Sequence, residues 1–339
     1  MPTRQQSDRS LESTRERGGS RTTVLLALAA NALILVAKVI GGLLTGSTAL
    51  LAEAAHSLAD TTNQTFLLAS IALASKPPNE EQPFGHGRQR FLWTFLAAVG
   101  MFVAGALFAI GYGIFELLRG PESSGSYGIA WATLVIAVIA EGASWLRAVR
   151  QTRAEAQHAG RPWRQHVRAS RDPSVKMVLF EDTAALIGVI IAGVGIGLVQ
   201  ITGQAFWDPA ASIVIGLLLI VVAVTMARDT GRLLVGASAL PEERDAIDRV
   251  LRKSPAVDDV KELLTMVLGP RALLVAARVD LADDFDSAEI ERAASALDRE
   301  IREAVPDVTE VFIDATPGDG NAVRDPETSG DDAALRPSA

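Results

Sequence analysis

Residues 47–64 read S-T-A-L-L-A-E-A-A-H-S-L-A-D-T-T-N-Q, a run of apolar and small residues broken by Glu53, His56 and Asp60. His56 and Asp60 are four apart, so on a helix they share one face about one turn from each other, the spacing of a metal-ligand pair. The apolar residues on either side make this a membrane helix. Ionisable groups cost several kcal/mol in hydrocarbon, and those that persist there face a bundle interior or a water-filled cavity on an ion or proton pathway.

The composition around this stretch implies two parts. The chain has 339 residues, is 49% hydrophobic and has a mean hydropathy of +0.24, greasier than an ordinary soluble enzyme and more charged than a protein that lies wholly in the bilayer. Residues 241–339 hold 24 Asp and Glu against 12 Lys and Arg, whereas residues 1–240 hold 16 against 20. An acidic end argues against nucleic acid as a partner, since its binders present a basic face. The chain has no cysteine, so disulfides and thiolate metal sites are excluded and any metal must be held by His and carboxylate.

Residues 1–21, rich in Arg, Ser and Glu, read as a disordered cytoplasmic tail, and residues 1–20 lack the pattern of a cleaved signal peptide. Six spans follow within a transmembrane domain over 22–235: Val24–Leu44, Ser47–Ala74, Phe91–Leu118, Ile129–Leu146, Ser174–Val199 and Trp207–Ala227. Asp208 is suited to cap the last span, with Pro209 in its first turn. Thr45 and Gly46 make a tight turn between the first two spans. That hairpin brings Lys38 and Glu53 to nearly equal depth, so a structural ion pair accounts for both and Glu53 is not counted as a ligand. Residues 147–176 carry seven Arg and one Lys and read as a basic loop; by the positive-inside rule they place the loop and both termini in the cytoplasm of a cell with a multi-pass inner (plasma) membrane protein. From Pro241 the pattern turns soluble: helix 242–253, strand 257–268, strand 272–281, helix 287–305 and strand 308–313, a small α+β domain within 236–316. An acidic tail that reads as disordered follows over 317–339.

A rise of about 1.5 Å per residue puts Asp60 about 20 Å from the outer end of the second span and Asp182 about 12 Å from the inner face, so the two share a level. With His56 they make a set of one nitrogen and several oxygens that suits tetrahedral Zn²⁺, while ligand type alone leaves Mn²⁺, Fe²⁺ and Co²⁺ open. Glu181, beside Asp182, is either a further ligand or a group facing the inner water cavity. Thr62, Asn63 and Gln64 are either partners of the ligands or helix–helix hydrogen bonders, the second being favoured. Ligation needs neutral His56 and ionised carboxylates, so metal and protons displace each other.

Over residues 22–316 the chain resembles the cation diffusion facilitators. The resemblance rests on T-G-S-T-A-L-L-A-E-A-A-H-S-L-A-D-T-T-N-Q, on P-F-G-H-G-R at 83–88 and on W-D-P-A-A-S-I at 207–213. It implies a polytopic α-helical fold of six transmembrane helices with a ferredoxin-like cytoplasmic domain, a homodimer in the lipid bilayer, and export of Zn²⁺ or a similar divalent cation against protons. The family's metal ligands fall on His56, Asp60 and Asp182. Many zinc-selective members carry His four residues before that last aspartate, where this chain has Val178. F-E-D-T-A-A at 180–185 instead looks like the branch of the animal mitochondrial zinc transporters, with Glu181 the additional candidate. A second metal site of some members would fall on His86, but Asn79 and Gln82 stand at the other matching places. His158 and His166 read as a solvated face among arginines. The competing readings are a non-transporting membrane metal sensor or partner subunit and, last, a membrane metalloenzyme, for which neither an H-E-x-x-H motif nor a nucleophile is present.

Overall fold

The computed structural model describes residues 31–120, 126–170, 172–282 and 285–316. The tails expected over 1–21 and 317–339, and the start of the first span, lie outside the described residues. The chain divides into two compact units between Gly236 and Ala237.

The first unit is helical. Helix α1 covers Asn31–Thr45, α2 Thr48–Ala74, α3 Gln89–Arg119, α4 Tyr127–His158, α5 Trp163–Ala169, α6 Pro173–Thr202 and α7 Trp207–Val235. Among the described residues, four of these are long and apolar enough to cross a membrane: α3, α4, α7 and, over Val175–Thr202, α6. The 27 residues of α2 are long enough as well, but its polar residues dilute its hydropathy. Gly46 turns α1 into α2 with a φ of 66°, a left-handed conformation that glycine adopts without steric cost. Ser47 is the N-cap of α2, its Oγ accepting from the Leu50 N–H at 3.2 Å.

The sequence assigned Asp208 as the cap of its own helix, and the structure corrects this. Asp208 lies inside the first turn of α7, whose N-cap is Phe206, and its carboxylate reaches the start of α2. There it accepts from the Ser47 hydroxyl at 2.7 Å and from the N–H groups of Thr48 and Ala49. A carboxylate at the positive pole of a neighbouring helix satisfies two of its four orphan donors and ties the ends of α2 and α7 together.

Residues expected as a loop after the fourth span are also helical, since α4 continues to His158. The segment A-V-R-Q-T-R-A-E-A-Q-H is rich in strong helix formers, and Val149, Thr152 and Ala156 bury one stripe of it. The short helix α5 packs back on this extension: Trp163 Nε1 donates to Thr152 Oγ1 at 2.9 Å, and the Arg153 guanidinium lies 5.4 Å from the Trp163 ring centre.

Small residues let the helices approach closely. A Cβ on Gly113 of α3 would meet Ile213 at 2.8 Å and the Pro209 carbonyl at 2.9 Å on α7. Within α3, residues Met101–Ala106 adopt π-helical bonding, which widens the turn that lies against α2 near His56 and Ala59.

In the second unit, α8 (Pro241–Lys253) precedes strands β1 (Val257–Gly269) and β2 (Ala272–Leu281), helix α9 (Ser287–Ala304) and strand β3 (Val308–Ala315). The sheet order is β1-β2-β3, with β1 and β2 antiparallel and β3 parallel to β2 after the α9 crossover. Leu273, Val275, Ala277 and Val279 alternate inward along β2, and Ile247, Leu251, Leu297 and Ile301 bury the helix faces. Asp286 and Glu289 start α9 with a reciprocal capping box.

Candidate metal centre

Helix α2 carries Glu53, His56, Asp60 and Asn63 along one stripe, and each neighbouring helix answers a different part of it. The deepest part is closed. Lys38 Nζ, from α1, donates to Glu53 Oε2 at 3.1 Å, to Glu141 Oε1 of α4 at 3.0 Å and to Ser57 Oγ at 2.9 Å. The ammonium thereby uses all three of its donors while the side chain is 1% exposed. The hairpin pair expected from the sequence is thus a four-residue network, with Glu141 and Ser57 as the members not foreseen. Glu53 Oε1 points at Gly188 of α6, where any side chain would collide with it.

His56 is 1% exposed, and neither ring nitrogen has a hydrogen-bond partner among the described residues; Nε2 lies 3.6 Å from Asp60 Oδ2. Asp60 Oδ1 is buried and unpartnered in the same sense. Unpaired buried polar atoms are costly, and among the described residues the α2 stripe carries them from Glu53 Oε1 through His56 and Asp60 to Asn63 Oδ1. Across from them, α6 brings Glu181, which accepts a hydrogen bond from Asn63 Nδ2, and Asp182, which accepts from Ser144 Oγ of α4 at 3.0 Å. The same turn of α4 adds a second tie between the two helices, Trp145 Nε1 to Thr183 Oγ1 at 3.1 Å.

Asp60, Glu181 and Asp182 line one cavity of about 310 Å³, together with Asn63, Glu141 and Arg147. It runs from Asp60 along α2 to Leu67, Leu68 and Ile71. His56 sits behind Asp60 and does not line it. Among the described residues, no three His, Asp or Glu side chains converge as a group that could hold a metal ion. The structure therefore brings Asp60, Glu181 and Asp182 to a common space and His56 to Asp60, in an arrangement wider than a coordination shell.

Residues 24–235 match the cation efflux transmembrane domain. The chain belongs to the cation efflux family. Over 275 residues it is 33% identical to the mitochondrial proton-coupled zinc antiporter SLC30A9 of Mus musculus, a match covering 81% of this chain and 48% of that protein. It is 26% identical over 301 residues to the manganese efflux system protein MneP of Bacillus subtilis, covering 88% and 96%. The metal cation efflux system protein CzcD of Cupriavidus metallidurans is 30% identical over 203 residues, covering 59% and 57%. The chain spans about half the length of the SLC30A9 relatives it matches.

The remaining histidines picked out in the sequence sit outside the cavity of this cation efflux protein. His86 is half-buried in the loop before α3, with Nδ1 buried and unpartnered among the described residues. Asn79 and Gln82 are engaged with each other there, the Gln82 N–H donating to Asn79 Oδ1 at 2.7 Å and the Asn79 N–H to the Gln82 carbonyl at 3.2 Å. Gly85 turns the loop at φ 81°. His158 bonds the Ala154 carbonyl, and His166 lies 3.8 Å from Glu155. Sequence reasoning missed Ser144 as the group that orients Asp182, and the bidentate clamp of Arg90 on Asp172 that ties the start of α3 to the start of α6. Glu141 and Ser144 are three apart in the fourth span, a readable sign that one face of that helix meets the polar stripe of α2.

Proposed function

We propose that this chain exports a divalent cation, Zn²⁺ first among them, from the cytoplasm in exchange for protons. The observation that carries the proposal is the cavity shared by Asp60, Glu181 and Asp182, three carboxylates with no lysine or arginine bonded to them among the described residues, next to a buried imidazole with both nitrogens free. A cation supplies the charge this cluster lacks. His56, Asp60 and Asp182 are the proposed ligands and Glu181 a fourth, with a small approach of α2 and α6 gathering them. Mn²⁺, Fe²⁺ and Co²⁺ compete for the same donors, and the manganese efflux named for MneP makes Mn²⁺ the first competitor to test.

Six spans complete the reading, α1, α2, α3, α4, α6 and α7, with a ferredoxin-like domain over 236–316 between the transmembrane domain of 22–235 and the C-terminal tail. Both termini face the cytoplasm, supported by the arginines after the apolar part of α4. The protein is proposed to act as a homodimer in the plasma membrane of its cell, as a transporter with no catalytic activity. The cavity extends toward the inner end of α2, while Ala49, Leu50 and Ala52 pack tightly against Ala106, Ala109 and Ile215 at the other end, which supports an inward-facing state. Alternating access then moves the metal past that packed end. His86 remains a candidate ligand of a second, peripheral site.

Ligation requires neutral His56 and ionised carboxylates, so protons from outside displace the metal and metal from inside displaces protons. Vesicles loaded with a metal indicator test this, with the pH gradient imposed and then collapsed, for Zn²⁺, Mn²⁺, Fe²⁺ and Co²⁺ in turn. Transport is expected to stop when the gradient is collapsed. At the loading side the apparent affinity should rise with pH, by up to about tenfold per unit for each proton displaced. Transport by Asp182→Ala at the wild-type rate would contradict the site, and a wild type that moves none of the four ions would favour the sensor or partner-subunit reading.

A further inference from the structure

A second cavity, of about 580 Å³, lies on the outer side of α4 and is lined by Ala143, Leu146, Arg147, Arg150 and Gln151. Its two halves differ in kind. Ala143 and Leu146 belong to the apolar part of α4 and are exposed, Leu146 at 40%, whereas the next residue begins the basic extension. Arg147 and Arg150, one turn apart, are exposed on the same face, and neither has an ion-pair partner among the described residues. The acids nearest along the helix are engaged elsewhere: Glu141 pairs with Lys38 at 3.0 Å, and Glu155 accepts from Gln151 Nε2 at 3.0 Å and faces His166. A groove with an apolar floor and two unpaired guanidiniums at its rim is complementary to a phosphodiester carried on a hydrocarbon chain, because planar forks bind phosphate bidentately and the methylenes need an apolar wall.

We propose that this groove binds the headgroup of an anionic phospholipid of the cytoplasmic leaflet. The proposal rests on the cytoplasmic placement of the arginine-rich segment under the transport reading. A basic cluster directly beyond a membrane helix is where anionic lipid collects, each guanidinium near the surface being worth about fivefold in partitioning. Arg147 gives the site a second meaning, because it also lines the carboxylate cavity. A free guanidinium at the rim of a cation cavity repels the cargo. A lipid phosphate on Arg147 and Arg150 removes that repulsion, so the bound lipid lowers the barrier for metal to reach Asp60 and Asp182.

The test is lipid association of the full chain, reconstituted in phosphatidylcholine vesicles containing trace spin-labelled phosphatidylglycerol or spin-labelled phosphatidylcholine. The wild type should immobilise the anionic lipid at least about fivefold more readily than the zwitterionic one. In Arg147→Gln/Arg150→Gln this preference should fall toward one, and Arg147→Lys/Arg150→Lys should keep part of it. Arg164→Gln, on α5, should keep all of it. Equal association of both lipids with the wild type overturns the proposal, as does an equal loss in Arg164→Gln, which would mean diffuse attraction to a basic surface. Displacement of the labelled lipid by millimolar glycerol phosphate would assign the groove to soluble phosphate and overturn the lipid reading. Association needs no transport, so a failed lipid site leaves metal flux measurable and a failed transport reading leaves the lipid preference intact.

Discussion

Glu53 and Asp60 are two turns apart on one face of α2, and their surroundings are opposite. Glu53 shares an ammonium with Glu141 in a buried network, every donor of Lys38 used, and Glu141 also borders the cavity. Asp60 faces Glu181 and Asp182 across a cavity, with an unpartnered imidazole behind it. Both groups are carboxylate-rich. Charge compensation built into the chain joins α1, α2 and α4 at the first, and under the proposed function the second takes its compensation from a bound cation. The cost of burying anions is met in one place by a covalently attached lysine and, under the proposed function, in the other by cargo.

The largest effect should come from removing the attached cation. Lys38→Met leaves Glu53 and Glu141 buried without a counter-charge and should cost about 3–5 kcal/mol. It should be read as a loss of folded protein after detergent extraction, with added Zn²⁺ giving no rescue, and Glu53→Gln in the same chain should recover part of the loss. Asp60→Ala should act the other way round. Transport should drop by at least about 100-fold, beyond the usual cost of losing a partner of a ligand, while the metal-free protein stays as thermostable as wild type or becomes more so. Equal losses of stability in the two variants would erase the distinction between the regions. The smallest effect should come from Ser144→Ala, which removes the hydrogen bond that orients Asp182 and leaves the proposed ligand in place. A rise of about tenfold in the half-saturating metal concentration is expected in the vesicle assay, with the maximal rate retained.

Much of this contrast could be read in the sequence where local rules apply. Charged residues inside apolar runs, the four-residue spacing of His56 and Asp60, and the hairpin at Gly46 placed the polar stripe on α2 and matched Lys38 to Glu53 in depth. The strands and helices after Pro241 followed from period and turn residues. What escaped depended on which helices are neighbours. Glu141 and Ser144 mark a polar face in the fourth span, but nothing local says that Glu141 shares Lys38. Asp208 looks like a cap for its own helix, because the start of α2, 160 residues earlier, becomes its partner only through the packing of α7. The extension of α4 was hidden by its arginines, which mark a membrane boundary and are also good helix formers. The separation of His56 from the cavity reflects a matter of ångströms that rise per residue cannot resolve.

Equilibrium binding of Zn²⁺ to the metal-free, detergent-solubilised full chain tests the division most directly, with wild type, Glu53→Gln and Asp60→Asn titrated in parallel under metal buffering. The expected result is a shared high-affinity ion in wild type and Glu53→Gln and a loss of about 100-fold or more in Asp60→Asn. Unchanged binding in Asp60→Asn, or an equal loss in Glu53→Gln, would contradict the assignment of the open carboxylate group as the metal site.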